Sequence, residues 1–568
     1  MSTSLPSWAN ELRNRYLAGE ASLFLLHGNV RDLHPWREDD GTLVYGDLRH
    51  FLLRFLERTR EVTAFYNVSQ GLEFPKAGQQ ALFRSIIDGK RVARGADKLG
   101  ALPGTAAGAI PVIEDLVTDT AHSSAVVIDY FEMIAPNADV SFMVHEDKAN
   151  LVSLQRWATD PAFLATDNLI ILITEHLSDV SRRITSQAQL ATIHLSFPDV
   201  EERKAYISQQ DLSDVNMDMD VSMLANMTAG LSLIQIRAIL RGAALTGEAI
   251  TFRQVSVRKK AIIEQECHGL VEFVPPRHDF THVGGMQRIK DDLNRVAGAV
   301  KSGNRNRVPM GMIFVGPMGT GKTFVAEAFA TESGLTCLKL KNFRDKWVGS
   351  TEGNLEKVLE LVEALGYVLL ILDEADRGLS SGSGSDGGVN SRVIARLKEF
   401  MSDTSHRGRV VILMMTNRPD KLDVDLKRPG RFDMKIPFFF PETPSERELI
   451  FQALVRKNRL VVADDIDWDT PVARTEGYSG AELEAVLLAA ASLSGDDDQD
   501  CIEQSHVDQA AEDVIASRDT RMLEYMELLA VFECSARRML PERFRDLATD
   551  DVQQRLDALR LQLGRRAM

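Results

Sequence analysis

Cysteine is scarce in this 568-residue chain. The four present (Cys267, Cys337, Cys501, Cys534) stand far apart, which excludes zinc-ligand spacing and a disulfide framework and leaves reduced, buried thiols as the expectation. Positive charge is also in deficit: 66 Lys and Arg against 82 Asp and Glu leave a formal charge of −16. Surfaces that coat nucleic acid carry a basic face, so this balance argues against nucleic acid as a partner, although a local basic channel stays open. No apolar run approaches the ~20 residues that span a bilayer. Residues 1–20 lack an apolar core flanked by positive charge, so no secretory signal is expected either. The expectation is a cytoplasmic protein with no membrane partner. An H-E-x-x-H metal helix is missing too, so an accompanying zinc protease is not expected. The remaining composition, 44% hydrophobic and 26% charged, is ordinary for globular domains, and the length suits roughly three to four of them.

What the chain does have is centred on Met312–Thr323, MIFVGPMGTGKT. An apolar strand-like run, Met312–Val315, breaks into Gly316-Pro317-Met318-Gly319-Thr320-Gly321-Lys322-Thr323, which fits G-x-x-x-x-G-K-[ST] at every fixed position. Phe324–Ala330 behind it has helix-forming residues at apolar spacing. The glycines let backbone N–H groups turn inward around phosphates, and the helix N-terminus adds partial positive charge. Lys322 reaches the β/γ-phosphates, and the Thr323 hydroxyl is placed to ligate Mg²⁺. These residues predict a nucleotide site.

Fifty residues further on, Val368–Leu372 is a buried-strand pattern ending in Asp373 and Glu374. Burial explains the apolar residues but not two carboxylates at the strand end. Asp373 is expected to hold the Mg²⁺ shell, and Glu374 to orient and polarise the attacking water of ATP hydrolysis. The next strand pattern, Val410–Met415, ends in Thr416-Asn417-Arg418, where the Asn417 amide can bridge the γ-phosphate and that water. Arg428-Pro429-Gly430-Arg431-Phe432-Asp433 sets two guanidiniums beside a rigid turn. Such planar donors suit arginine fingers offered to a neighbouring subunit's γ-phosphate.

The first half repeats this order of elements. VVIDYFEMI around Asp129 matches LLILDEADRGL around Asp373, NLIILIT matches VVILMMT, and HLSFPDVEERKAYI matches IPFFFPETPSERELIF. Gly230 likewise matches Gly477, and all four pairs lie 242–247 residues apart. Two copies of one α/β fold are therefore expected. The same offset carries Gly316 to Gln70-Gly71-Leu72, where no Lys-Thr pair follows a glycine loop, and Tyr130 stands where the second copy has Glu374. Gly28-Asn29-Val30-Arg31 is too weak a signal to stand in for the loop. The first copy is expected to bind partners rather than hydrolyse nucleotide. A charged helix at Arg258–Glu266 and the double proline at Pro275-Pro276 mark a bridge. Beyond Gly480 the pattern is helical, and the acidic run from Asp496 to Asp500 reads as a solvated loop.

Taken together, Phe280 to about Leu493 resembles the AAA subset of AAA+ ATPases, with the motifs in the family order. By this resemblance Phe280–Met286, with Val283 and Gly284, contacts adenine, and Gly477–Glu482, with Gly480 and Ala481, closes a lid over base and ribose. It also implies a homo-oligomeric, hexameric ring with sites between subunits. Lys346-Trp347-Val348-Gly349 resembles the family's pore loop that grips extended polypeptide, and Ser380–Gly388 fits a second channel loop. Met434 departs from the family, which often has a third arginine there. More narrowly, LVEFVPPRHDFTHVGGMQRIKDDL preceded by RKKAIIEQE looks like the AAA ATPases encoded in algal plastid and cyanobacterial genomes.

The expected architecture is α/β: a degenerate AAA-like domain without the glycine loop (1–250), a helical, Pro-rich linker (251–278), a P-loop AAA+ large subdomain with a parallel sheet flanked by helices (279–440), a helical lid (441–518) and C-terminal helices (519–568). The expected cofactors are ATP and Mg²⁺, and the expected activity is remodelling or unfolding of proteins. An ATP-gated scaffold that binds a partner without translocating it remains the alternative, and a nucleic-acid motor is the reading the acidic balance disfavours.

Overall fold

The computed structural model describes residues 5–38, 40–138, 141, 143–211, 216–247, 249–267, 270–341, 351–374, 389–516 and 519–564. The chain forms two compact units: Met1–Lys259 with Leu355–Ala364, and Lys260–Asn354 with Leu365–Met568.

The first unit contains β1 (Leu23–Gly28), β2 (His34–Arg37), β3 (Leu43–Gly46), β4 (Val62–Asn67), β5 (Gly71–Glu73), β6 (Ser124–Ile128), β7 (Leu169–Ile173) and β8 (Leu190–Leu195). Six of these form one sheet in the order β5-β4-β6-β7-β1-β8, parallel except for the antiparallel edge strand β5. Strands β2 and β3 form a separate hairpin. The strands alternate side chains between two covered faces. Leu23, Leu25, Val126, Ile128, Ile170 and Leu172 pack with the helices Ala77–Ala93, Ala106–Val117 and His145–Trp157. Phe24, Leu26, Val127, Ile171 and Ile173 pack with Ser7–Leu17 and Leu48–Leu56. Continuous apolar runs are the sequence mark of strands buried on both faces.

The second unit contains β9 (Val271–Phe273), β10 (Gly311–Val315), β11 (Thr336–Leu340), β12 (Val368–Leu372), β13 (Val410–Thr416) and β14 (Met434–Pro437). Their order is β14-β10-β13-β12-β11-β9, again parallel except at one edge, where β9 runs antiparallel to β11. The bridge expected over 251–278 thus contributes the edge strand β9. Helices Gln287–Lys301 and Lys322–Ser333 cover one face over Met312, Phe314, Leu369, Ile371 and Leu413. A helical layer follows, built on Pro444–Asn458, Gly480–Asp496 and Gln504–Asp513 around Phe451, Leu483, Val486 and Leu487. The C-terminal helices Thr520–Glu533 and Thr549–Leu563 pack through Tyr525, Leu528 and Leu556.

Read from opposite ends, the two sheet orders coincide: β1 answers to β10, β4 to β11, β6 to β12, β7 to β13, β8 to β14 and β5 to β9. The helical layers repeat as well. Capping boxes begin Val200–Gln209 (Asp199) and Pro444–Asn458 (Thr443), and again Leu233–Thr246 (Ser232) and Gly480–Asp496 (Ser479). Buried Arg203 donates from Nε to the Ala225 carbonyl at 2.8 Å, and Arg447 to the Val472 carbonyl at 3.0 Å.

One expectation fails here. Gln70-Gly71-Leu72 is not the counterpart of the glycine loop, because Gly71 opens the edge strand β5. The counterpart is Gly28-Asn29-Val30-Arg31, which begins at the last residue of β1. A constant offset misses it because the first unit is longer in two places. The hairpin β2–β3 is inserted between β1 and the helix Leu48–Leu56, and β5 with the helices Ala77–Ala93 and Ala106–Val117 lengthens the connection from β4 to β6.

Candidate nucleotide site

In the second unit β10 delivers the chain into 316–321, and the helix Lys322–Ser333 starts at the lysine. Three glycines take positive φ: 151° at Gly316, 75° at Gly319 and 83° at Gly321. Gly316 is also sterically required, since a Cβ there would lie 2.1 Å from the Phe438 carbonyl oxygen. Thr320 Oγ1 donates to the Pro317 carbonyl at 2.9 Å and ties the loop to itself. Lys322 Nζ donates to the Gly316 and Pro317 carbonyls at 2.8 and 2.6 Å, which holds the ammonium against the loop.

A cavity of about 510 Å³ opens on this loop. Its walls include the expected Val283, Gly284, Met318–Thr323, Asp373, Glu374, Asn417, Gly480 and Ala481. Gly316 and Pro317 form the base of the loop behind it. Gly284 approaches the helix Pro444–Asn458 so closely that a Cβ would lie 2.5 Å from the Leu449 carbonyl oxygen. On the lid side, the Ala481 N–H donates to the Gly319 carbonyl at 3.1 Å, joining lid helix and loop. Asp373 receives the Lys339 ammonium on Oδ2 at 2.8 Å and the Glu374 N–H on Oδ1 at 3.0 Å. Glu374 itself has φ 48°, a costly conformation for a non-glycine residue and one that occurs at functional strand ends. The Thr323 hydroxyl and the Asp373 carboxylate are hard oxygen donors on one wall, a set that fits Mg²⁺.

Several residues in or behind the cavity carry no motif, of which Lys457 and Glu484 line it and Lys339 stands behind Asp373. Lys339 lies on β11 and meets Asp373 only because β11 and β12 are neighbours. Lys457 donates to Glu484 at 2.8 Å and stands 5.3 Å from the Phe324 ring centre. Burial pushes the Glu484 carboxyl up, but the hydrogen bonds from Lys457 and Asn458 outweigh it and hold it below the usual range. Cys337 on β11 is pushed up to about 12 by burial, an inert core thiol.

The paired arginines lie elsewhere. Arg428 is exposed and reaches Asp425 at 3.3 Å, while Arg431 Nη1 donates to the Asp425 carbonyl at 2.8 Å. Neither lines the cavity among the described residues. Asp433 braces their turn, accepting the Gly430 N–H at 2.6 Å and the Met310 N–H at 3.0 Å. Met434 opens β14. Lys346, Trp347, Val348 and Gly349, and the stretch 380–388, lie outside the described residues.

The first unit repeats the backbone of this site with different chemistry. A Cβ on Gly28 would lie 2.6 Å from the Leu195 carbonyl oxygen, as Gly316 does with Phe438. Tyr130 has φ 54° and donates its N–H to Asp129 Oδ1 at 2.8 Å, the geometry of Glu374 on Asp373. Yet the loop runs into the hairpin β2–β3, so no helix N-terminus points at a phosphate. Arg31 fills the place instead. It donates to Asp129 Oδ2 at 2.9 Å and Glu175 Oε1 at 3.2 Å, and lies 4.1 Å over the Tyr130 ring. Burial opposes its charge, but these carboxylates raise its pKa. Next to it, the buried Asp32 carboxylate accepts the Leu233 and Ile234 N–H groups at 2.9 and 3.0 Å and the Asn29 amide at 2.9 Å. The lid-like helix Leu233–Thr246 is thus fastened by a side chain. The first unit does hold a cavity of about 480 Å³, but Trp8, Trp36, Tyr45 and Phe55 line it.

A glycine loop feeding a helix, two strand-end acids and a lid bonded to the loop define a P-loop nucleotide site of the kind that hydrolyses ATP. Comparison with known proteins agrees. Residues 312–440 match the ATPase family associated with various cellular activities (AAA), residues 2–196 an AAA+ chaperone N-terminal Rossmann-like domain, and residues 201–268 an AAA+ chaperone second helical domain. The chain is 31% identical over 268 residues to ATP-dependent zinc metalloprotease FtsH 2 of Salinibacter ruber, covering 45% of this chain and 39% of that protein. It is 34% identical over 185 residues to Protein SAV of Sulfolobus acidocaldarius, covering 32% and 23%, and 33% identical over 238 residues to human ATPase family gene 2 protein homolog A, covering 39% and 26%. The chain therefore spans less than half the length of these relatives. Residues 312–440 thus carry an AAA-type ATPase domain, preceded by an N-terminal Rossmann-like domain and a helical domain of the AAA+ chaperone kind. Among the described residues no helix is long and apolar enough to cross a membrane.

Proposed function

We propose that this chain hydrolyses ATP with Mg²⁺ at its second unit and uses the cycle to remodel or unfold protein substrates from a hexameric ring in the cytoplasm. The observation that carries this reading is the meeting of Lys322, Thr323, Asp373, Glu374 and Asn417 in one cavity whose lid bonds to the phosphate loop. Lys322 and the loop N–H groups bind the β/γ-phosphates. Thr323 and Asp373 hold Mg²⁺, which when bound neutralises charge on the phosphate oxygens. Glu374 polarises the attacking water, and Asn417 holds that water against the γ-phosphate. Val283 and Gly284 meet the base on one side, and Gly480 and Ala481 close the other.

Arg428 and Arg431 serve a neighbouring subunit. Their support is exposure on a braced turn that does not line their own cavity. Lys346-Trp347-Val348-Gly349 is the substrate grip, supported by its sequence alone. The first unit, with Arg31 and Asp32 in its loop, binds partners rather than nucleotide. The domain limits 1–250, 251–278, 279–440, 441–518 and 519–568 remain the working division, with β9 as the start of the ATPase sheet.

The experiment is Glu374→Gln, which binds ATP without cleaving it. Its rings, seen by particle imaging, should carry trapped protein. A variant that stays monomeric with ATP would withdraw the inter-subunit role of Arg428 and Arg431. Trp347→Ala should abolish remodelling and spare most ATP turnover. Unimpaired remodelling by that variant would favour the alternative, an ATP-gated scaffold.

A further inference from the structure

Two histidines face each other on neighbouring strands of the first unit. His27 on β1 and His194 on β8 are direct partners in the parallel register, with ring centres 5.1 Å apart and planes tilted by 44°. The His194 ring lies over Gly28, where a Cβ would sit 2.8 Å from Nε2, so glycine leaves the room that the ring uses. Glu360 joins them from the stretch Leu355–Ala364 that packs within this unit. One ligand atom from each of the three lies within 4.8 Å of the others.

The His194–Glu360 contact is a long hydrogen-bonded ion pair at a distance that also suits two ligands of one ion. His194 Nε2 stands 3.4 Å from Glu360 Oε1. A strong charge-assisted hydrogen bond lies at about 2.7–2.9 Å. Two ligands at about 2.1 Å from one tetrahedral ion are about 3.4 Å apart. The pair thus also stands at ligand spacing, and the three ligand atoms, within 4.8 Å of one another, need to draw in by up to about 1.4 Å to complete a three-ligand face. The local field favours a cation, since Glu356 and Glu363, on the helix Thr351–Leu365 that also carries Glu360, act on His194 with the same sign as Glu360. Lys357 opposes them from the same helix and is felt at His176. Both ring nitrogens of that histidine are without a hydrogen-bond partner among the described residues.

We propose that His27, His194 and Glu360 form a binding site for a divalent transition ion of the Zn²⁺ class. Two imidazoles and one carboxylate suit such an ion and leave a fourth position for water. The ion would pin the stretch Leu355–Ala364 to β1 and β8. That stretch ends shortly before β12, whose end carries Asp373 and Glu374. The site is separate from the nucleotide cavity and does not depend on how ATP is used.

The test is titration of the nucleotide-free, chelator-treated full chain with Zn²⁺ by calorimetry, and with Co²⁺ followed by visible absorption. One ion per chain is expected, with tetrahedral Co²⁺ absorption. His27→Ala, His194→Ala and Glu360→Gln should each weaken binding by on the order of 100-fold, while unfolding midpoints without metal show that the variants fold. Hydrogen exchange over residues 355–364 should slow on Zn²⁺ addition in the native chain and not in the variants. No saturable binding, or binding that survives in the double variant His27→Ala/His194→Ala, would reduce the cluster to an ion pair only and overturn the proposal.

Discussion

Replacing Asp32 with alanine tests whether the first unit is latched by its own side chain. Asp32 is 3% exposed, and its carboxylate takes the first two free N–H groups of the helix Leu233–Thr246. Alanine leaves the Leu233 donor buried without an acceptor, a cost of about 1–3 kcal/mol, and the half-exposed Ile234 donor to find water at a smaller cost. It also removes a negative charge from a helix N-terminus, worth up to ~2 kcal/mol. Against this stands the relief of unburying a charge: burial pushes the Asp32 carboxyl above its usual range, and the hydrogen bonds from Leu233, Leu33, Asn29 and Ile234 pull it back only in part. The net expectation is a loss of about 2–4 kcal/mol, felt first where the helix starts. At about 1.4 kcal/mol per factor of ten, amides near Gln235–Ile239 should exchange about 30- to 700-fold faster. Asp32→Asn keeps one acceptor oxygen and should lose roughly half as much. Native-state hydrogen exchange read by mass spectrometry provides the measurement. Exchange within about threefold of the native chain would refute the latch.

Other outcomes follow from the same geometry. Gly316→Ala forces a Cβ to 2.1 Å from the Phe438 carbonyl oxygen, so the loop must move and nucleotide affinity should fall at least about tenfold in a fluorescent-nucleotide titration. Gly28→Ala meets the Leu195 carbonyl at 2.6 Å and should lower the unfolding midpoint of the first unit while ATP binding persists. His34 is pushed down to about 4 by burial, with Asp47 opposing, so it is neutral in the fold. Its contribution is complete above the unfolded value near 6.5 and is lost as pH falls toward 4, up to about 3 kcal/mol. His34→Phe keeps the ring contacts with Trp8 and Phe51 and should flatten denaturation midpoints between pH 6.5 and 4.

The glycine loop, the strand-end acids and the asparagine were legible because each is a local device. Phosphate binding needs positive-φ glycines before a helix, and water activation needs an acid at the end of a buried strand. The repeat was legible for the same reason, since buried parallel strands read as unbroken apolar runs. Its alignment failed at Gly71 because the inserted hairpin and the longer connection from β4 to β6 change the spacing, and only strand order reveals that Gly28 is the true counterpart.

What the chain by itself determined, then, is a nucleotide site and the order of its parts, because those depend on neighbours in sequence. Tertiary structure alone decided that Lys339 meets Asp373, that Asp32 fastens a helix two hundred residues away, and that Arg31 fills the first loop. Those contacts join residues whose side chains carry no pattern of their own. They exist only because parallel strands bring distant loops to one edge of a sheet.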